Sequence, residues 1–109
     1  MGKLSRDKGK RTEREFCRIA RGIWPHIERN FRQEAYSDGR DFTGTPGFCV
    51  QAKSGKLPPW RKGLDEAAEA AELLEMPVCV TRRDGERWVA HMAFEDFKVL
   101  VSAAKAGNR

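Results

Sequence analysis

No run of apolar residues approaches the ~18–20 needed to cross a bilayer. The basic opening MGKLSRDKGKR is followed by no apolar stretch, so the expectation is a chain without a secretory signal. Cysteine pairs at metal-ligand spacing are missing: Cys17, Cys49 and Cys79 are scattered, with no CxxC and no Cys/His cluster, which argues against zinc. An odd, dispersed set of thiols fits buried cysteines in a reducing, intracellular setting. Histidine is scarce too. His26 and His91 have no Cys, Ser or Asp at a telling spacing, which sets aside His-based nucleophilic schemes.

What the chain has is charge. Of its 109 residues, 34 % are charged and 39 % hydrophobic, the composition of one globular domain with a polar surface. The net charge of +5 is unevenly spread. Residues 1–21 hold Lys3, Arg6, Lys8, Lys10, Arg11, Arg14, Arg18 and Arg21 against Asp7, Glu13 and Glu15, so the whole excess lies there. A second basic group, Lys53, Lys56, Arg61 and Lys62, begins at the end of an expected strand. Two basic patches on an otherwise balanced chain suit a polyanionic partner such as DNA. The other reading of the first patch is a solubilising arm.

The apolar spacing predicts the order α-β-β-β-α-β-β-α. Residues 1–8 read as a flexible basic arm, 9–104 as a single domain and 105–109 as a tail. Phe16, Ile19, Ala20 and Ile23 repeat as a helix does, with Thr12 and Glu15 in capping-box positions. Asn30 to Tyr36, Arg40 to Thr43 and FCVQAK (Phe48 to Lys53) read as strands, the middle one bracketed by turns at Ser37-Asp38-Gly39 and Gly44-Thr45-Pro46-Gly47. A second helix runs through Leu64, Ala67, Ala68, Ala71 and Leu74. Its acidic row of Asp65, Glu66, Glu69, Glu72 and Glu75 reads as a solvated face. Val78-Cys79-Val80 is a buried strand, Asp84-Gly85 a hairpin into Trp88–His91, and Phe94 to Ala104 a terminal helix. A crossover helix between strands implies an α/β fold with a mixed sheet flanked by helices.

Three stretches carry chemistry. On FCVQAK, side chains alternate, so Gln51 and Lys53 share a face. An ammonium on a sheet is costly unless an anion meets it. The turn before this strand allows Asp41 to approach the pair. Glu13, at about 100° per residue, lies about 60° from Phe16, 40° from Cys17 and 20° from Ala20. It therefore sits in the apolar face, where a carboxylate needs a cation or hydrogen-bond donor. One role is functional; the other is a structural pair with Arg40 or Lys53. Glu15, on the opposite face, reads as a cap or surface charge.

Asp41 with Gln51-Ala52-Lys53 resembles the D-x(n)-(E/Q)-x-K motif of the PD-(D/E)XK nuclease superfamily. Lys8 to Glu15 (KGKRTERE) is similar to the KGxxxERE opening of archaeal-type Holliday junction resolvases, and KSGKLPPW with the following helix, hairpin and helix resembles small phage-type resolvases. The likeness spans roughly residues 8–100. It implies a restriction-endonuclease-like sheet and a metal-dependent DNA endonuclease, most simply a homodimeric junction resolvase. It also implies a catalytic set of Glu13, Asp41, Gln51 and Lys53, with Mg2+ (Mn2+ substituting) held by Asp41, Gln51, the Ala52 carbonyl and Glu13. Lys8, Lys10, Arg11, Arg14, Arg18, Lys56, Arg61 and Lys62 would meet DNA phosphates. Trp60, Trp88, Leu73 and Phe31 are available either to a dimer interface or to the core.

The departure is Gln51, where most resolvases have glutamate. An amide oxygen can meet a hard cation but brings no charge. QxK is a familiar variant in methylation-dependent restriction nucleases. Alternatively the charge comes from Glu66 or Asp38, or Gln51 replaces a native glutamate. Two other functions stay open: a non-catalytic DNA-binding module on the same fold, and a restriction-type duplex nuclease.

Overall fold

The computed structural model describes residues 3–30 and 39–107. The strand expected at Asn30 to Tyr36 therefore lies mostly outside the described residues, as do Phe31 and Asp38. In chain order the elements are α1 (Lys3–Ala20), β1 (Glu28–Arg29), β2 (Phe42–Thr43), β3 (Phe48–Gly55), α2 (Trp60–Ala70), β4 (Met76–Arg83), β5 (Trp88–His91) and α3 (Phe94–Gly107). The class is mixed α/β. β3 and β4 pair in parallel, with Gln51 opposite Cys79 and Lys53 opposite Thr81. β5 returns antiparallel on β4, so the sheet order is β3-β4-β5. β1 and β2 form a separate antiparallel pair instead of extending that sheet.

α1 begins at Lys3, earlier than its apolar spacing suggests, so residues 3–8, expected as a flexible arm, are helical. The stretch Lys3–Lys8 contains no strong breaker, and Gly9 inside the helix costs only about 1 kcal/mol relative to alanine. Thr12 consequently lies mid-helix. Its hydroxyl donates to the Lys8 carbonyl at 2.9 Å and meets Ser54 Oγ at 2.6 Å, which ties α1 to β3. Glu15 is no cap either: it accepts from Arg82 at 3.2 Å.

The core lies between α1 and one face of the sheet. Phe16, Cys17 and Ala20 pack on Val50, Ala52, Val78 and Val80, with Ile27 and Phe42 closing one end. Because Cys17 takes the core-facing place, Ile19 and Ile23 of the expected stripe turn outward. Trp88 packs against Phe16 with ring centroids 5.2 Å apart and planes tilted by 58°, so it belongs to the core and not to a free surface. The other sheet face carries Cys49, Gln51 and Lys53 toward α2. Gly63 lets α2 come close, since a Cβ there would run into Cys79 Sγ and sit 3.3 Å from Lys53 Cγ.

α2 starts after Pro58-Pro59 and stops at Ala70, sooner than the apolar spacing suggests. Leu73 and Leu74 therefore fall beyond it and stand exposed. Cys17, Cys49 and Cys79 are free and buried, as their scatter suggested. Burial pushes the Cys79 thiol up to about 11, which keeps it protonated and unreactive. Among the described residues, no helix is long and apolar enough to cross a membrane.

Candidate functional site

Asp41 owes its position to a clamp on the backbone around it. The Gln51 side-chain amide donates to the Gly39 carbonyl. Asn30 donates from Nδ2 to the Arg40 carbonyl at 3.0 Å and from its backbone N–H to the Asp41 carbonyl at 2.8 Å. The Arg40 guanidinium grips Glu75 through two bonds of 2.7 and 2.9 Å, a planar two-point contact that fixes orientation as well as distance. Buried by these contacts, Asp41 accepts the Ala52 backbone N–H at 2.9 Å through Oδ2. Its carboxylate thus sits on the β3 edge that β4 leaves open. In an extended strand the N–H and C=O of one residue point to the same side, so the Ala52 carbonyl faces this edge too.

Glu13 reaches the same place from α1 and is only 8 % exposed. Arg29 donates to it from Nε at 2.9 Å. The structural partner is therefore Arg29, not Arg40 or Lys53. Even so, burial first and the neighbouring Asp41 charge second push the Glu13 carboxyl up from 4.5 to about 7, against the pull of Arg29. The shift keeps Glu13 partly protonated as the pH approaches neutral.

Lys53 enters from the α2 side. The anion that meets it is Glu66, with Nζ at 2.8 Å from Oε1, a close ionic contact whose angles are not those of a hydrogen bond. Glu66 and Glu75 thus do work that the acidic-row reading of α2 missed. Both are engaged by cations, Lys53 of β3 and Arg40 before β2, and only Glu66 is on the helix.

Glu13, Asp41, Ala52 and Lys53 line one open cleft of about 410 Å³, with Lys8 and Thr12 on its α1 wall. The fourth expected catalytic residue, Gln51, is buried at 3 % exposure and does not line that cleft, its amide being turned to Gly39. A smaller hollow of about 290 Å³ adjoins the cleft through Lys8, Thr12 and Ser54. Its walls add Arg11, Arg82 and Arg83, which outnumber the carboxylates Glu15 and Asp84 that also line it. Arg14, Arg21 and Arg29 line a further cleft with Cys17 and Glu28. Of the other expected DNA contacts, Arg18, Lys56, Arg61 and Lys62 are exposed, with Arg61 3.6 Å from Asp65. Lys10 is half-buried.

The residues that the sequence reading missed are Arg29, Asn30, Glu75, Arg82 and Arg83. Except for Arg83, which meets Glu86 three residues on, they have partners far along the chain, and the Arg40–Glu75 pair spans 35 positions. No local periodicity marks such contacts. Among the described residues, no group of three or more His, Cys, Asp and Glu gathers round one point. The acidic centre is a carboxylate pair.

No protein-family model, curated protein or solved structure matches this chain.

Proposed function

We propose that the cleft is the centre of a metal-dependent DNA endonuclease on a restriction-endonuclease-like fold, acting on branched DNA of the four-way-junction type. The observation that carries this reading is the buried Glu13–Asp41 pair beside Lys53, in a cleft continuous with a basic hollow. Two carboxyl groups held together at the cost of a raised pKa are relieved by a cation. The donors are hard oxygens: Asp41, Glu13 and the Ala52 carbonyl, with the Gln51 amide oxygen as the weakest contributor because its amide already serves Gly39. Mg2+, or Mn2+ in its place, would neutralise charge at the phosphate and lower the pKa of water.

The chain's own residues do the rest. Lys53 sets a positive charge against the phosphate oxygens as they gain negative charge. Its pair with Glu66 holds the ammonium in place. Glu13, once ionised, accepts a proton from the attacking water or orients it. Lys8, Arg11 and the exposed cations of α1 and α2 hold the backbone of the substrate, a sequence-independent grip. Symmetric cutting of a four-way junction needs two centres, so the proposal includes a two-fold homodimer. The buried free thiols suit an intracellular enzyme.

Gln51 and the Lys53–Glu66 pair favour a second reading, a DNA-binding module without catalysis. Incubation with four-way junctions, forks and linear duplex in Mg2+, Mn2+ or EDTA decides between them. The expected result is divalent-dependent cleavage of junctions ahead of duplex. Asp41→Asn should lower that rate by roughly two to three decades while DNA binding persists. Unchanged cleavage by Asp41→Asn protein ends the assignment. DNA binding without cleavage or metal uptake supports the second reading, and preference for linear duplex makes the chain a restriction-type nuclease.

A further inference from the structure

Beyond the cleft, the loop Lys56–Pro59 and the β4–β5 hairpin enclose an apolar hollow of about 410 Å³, floored by Thr81 and His91 and walled by Leu57, Trp60 and Val89. Trp60 is 45 % exposed and Leu57 84 %, so the hollow is open to a ligand. One face of the Trp60 indole is already used: His91 stacks on it at 5.3 Å with the rings 12° from parallel. His91 is in turn fixed by Thr81, whose Oγ1 lies 2.8 Å from Nε2. Burial holds the His91 pKa below its ordinary value, which favours the neutral ring. An indole held flat from behind, with exposed surface remaining, is a preorganised stacking platform.

The rim is cationic. Arg83 and Arg87 border the hollow, with Glu86 3.5 Å from Arg83. Arg83 also lines the basic hollow of Lys8, Arg11 and Arg82, which opens into the Glu13–Asp41 cleft. Cations leading from the carboxylate pair to an aromatic pocket form a path for a phosphate backbone that ends in a place for a base. A polypeptide segment would match the apolar wall but gives no reason for the arginines.

We propose that this hollow receives an unpaired nucleobase of the bound DNA, stacked on Trp60, with the adjoining phosphates held by Arg83 and Arg87. The inference rests on the nuclease reading and deepens it. It makes a base freed at the branch point when the protein binds, and not the duplex alone, the feature that selects branched substrates.

The test uses the intact chain in EDTA, where the proposed cleavage is silent. Two probes are compared by anisotropy: blunt duplex, and a fork carrying 2-aminopurine in its single-stranded arm. Wild-type protein should bind the fork more tightly and quench the 2-aminopurine. Trp60→Ala should lose the quenching and weaken fork binding roughly tenfold, the scale of one lost stacking contact, with duplex affinity unchanged. Trp60→Phe should retain most of both, which separates stacking from misfolding. Equal fork affinity and equal quenching in Trp60→Ala protein overturn the inference alone if Mg2+-dependent cleavage is intact. A loss of dimer in Trp60→Ala with the base signal unchanged also overturns it, because a second copy then fills the hollow. Failure of wild-type protein to bind any DNA removes this inference and the nuclease reading together.

Discussion

Glu13 is the residue whose surroundings decide its chemistry. Folding raises its carboxyl from 4.5 to about 7, so the folded chain retains a proton that the unfolded chain releases in that window. Stability from this group is full below pH 4.5 and is lost as the pH climbs to about 7. Thermal melts of Glu13→Gln should therefore be flatter than wild type across that interval; identical slopes would show that Glu13 titrates normally. Arg29 acts in the opposite sense, pulling the carboxyl down. Replacing it in Arg29→Gln should push Glu13 higher still and move the onset of cleavage to more alkaline pH. A rate–pH profile displaced toward acid would contradict the assignment. Glu75 runs the other way: the Arg40 hydrogen bonds hold it below its ordinary value, and its contribution fades as acid protonates it.

At the scale of elements, the unit β3-α2-β4 does the positioning. Two parallel strands need a crossover, and α2 supplies it while bringing Glu66 over Lys53. The fit depends on Gly63, where an added methyl meets the Cys79 sulfur and crowds the Lys53 stem. Such overpacking costs about 1–3 kcal/mol. Alanine's helix preference returns about 1 kcal/mol. The expected net effect of Gly63→Ala is a loss of up to about 2 kcal/mol, read as a fall in Tm. A Tm equal to or above wild type would mean that α2 does not need this approach. Gly44 is a second such point: φ is +79° and a Cβ would collide with the His26 carbonyl, so the β2–β3 turn is closed to larger residues.

For the whole molecule, the N-terminal basic residues become geometry when α1 lies along the cleft, with Lys8 on its wall and Arg11 on that of the adjoining hollow. Affinity for duplex DNA should fall linearly with salt on logarithmic axes. Arg11→Ala should reduce that slope by about one, the signature of a single phosphate contact; a salt-independent affinity would remove phosphate contact from the account. α3 buries none of its residues and leaves Phe94, Phe97 and Val99 exposed, an apolar surface available to the proposed homodimer. Light scattering at several protein concentrations should find twice the 12.4 kDa chain mass. A monomer throughout would leave symmetric junction cutting without its second centre.

The sequence by itself determined the order of elements from β2 onward, though not β1 at Glu28–Arg29, and the alternation that sets Gln51 and Lys53 on one face of β3. Period-2 and period-3.6 patterns are local, so the chain displays them. It also marked Glu13 as a carboxylate on an apolar helix face, because that angle depends on four neighbouring positions alone. Only the tertiary structure decided what these groups meet. Arg29 reaches Glu13 from β1, Glu66 takes the charge of Lys53, and Arg40 with Glu75 clamps the turn that delivers Asp41. Each contact joins side chains from separate elements. Its partner is selected by how the layers stack, and that information lies in packing volume and distance, to which no repeat along the chain corresponds.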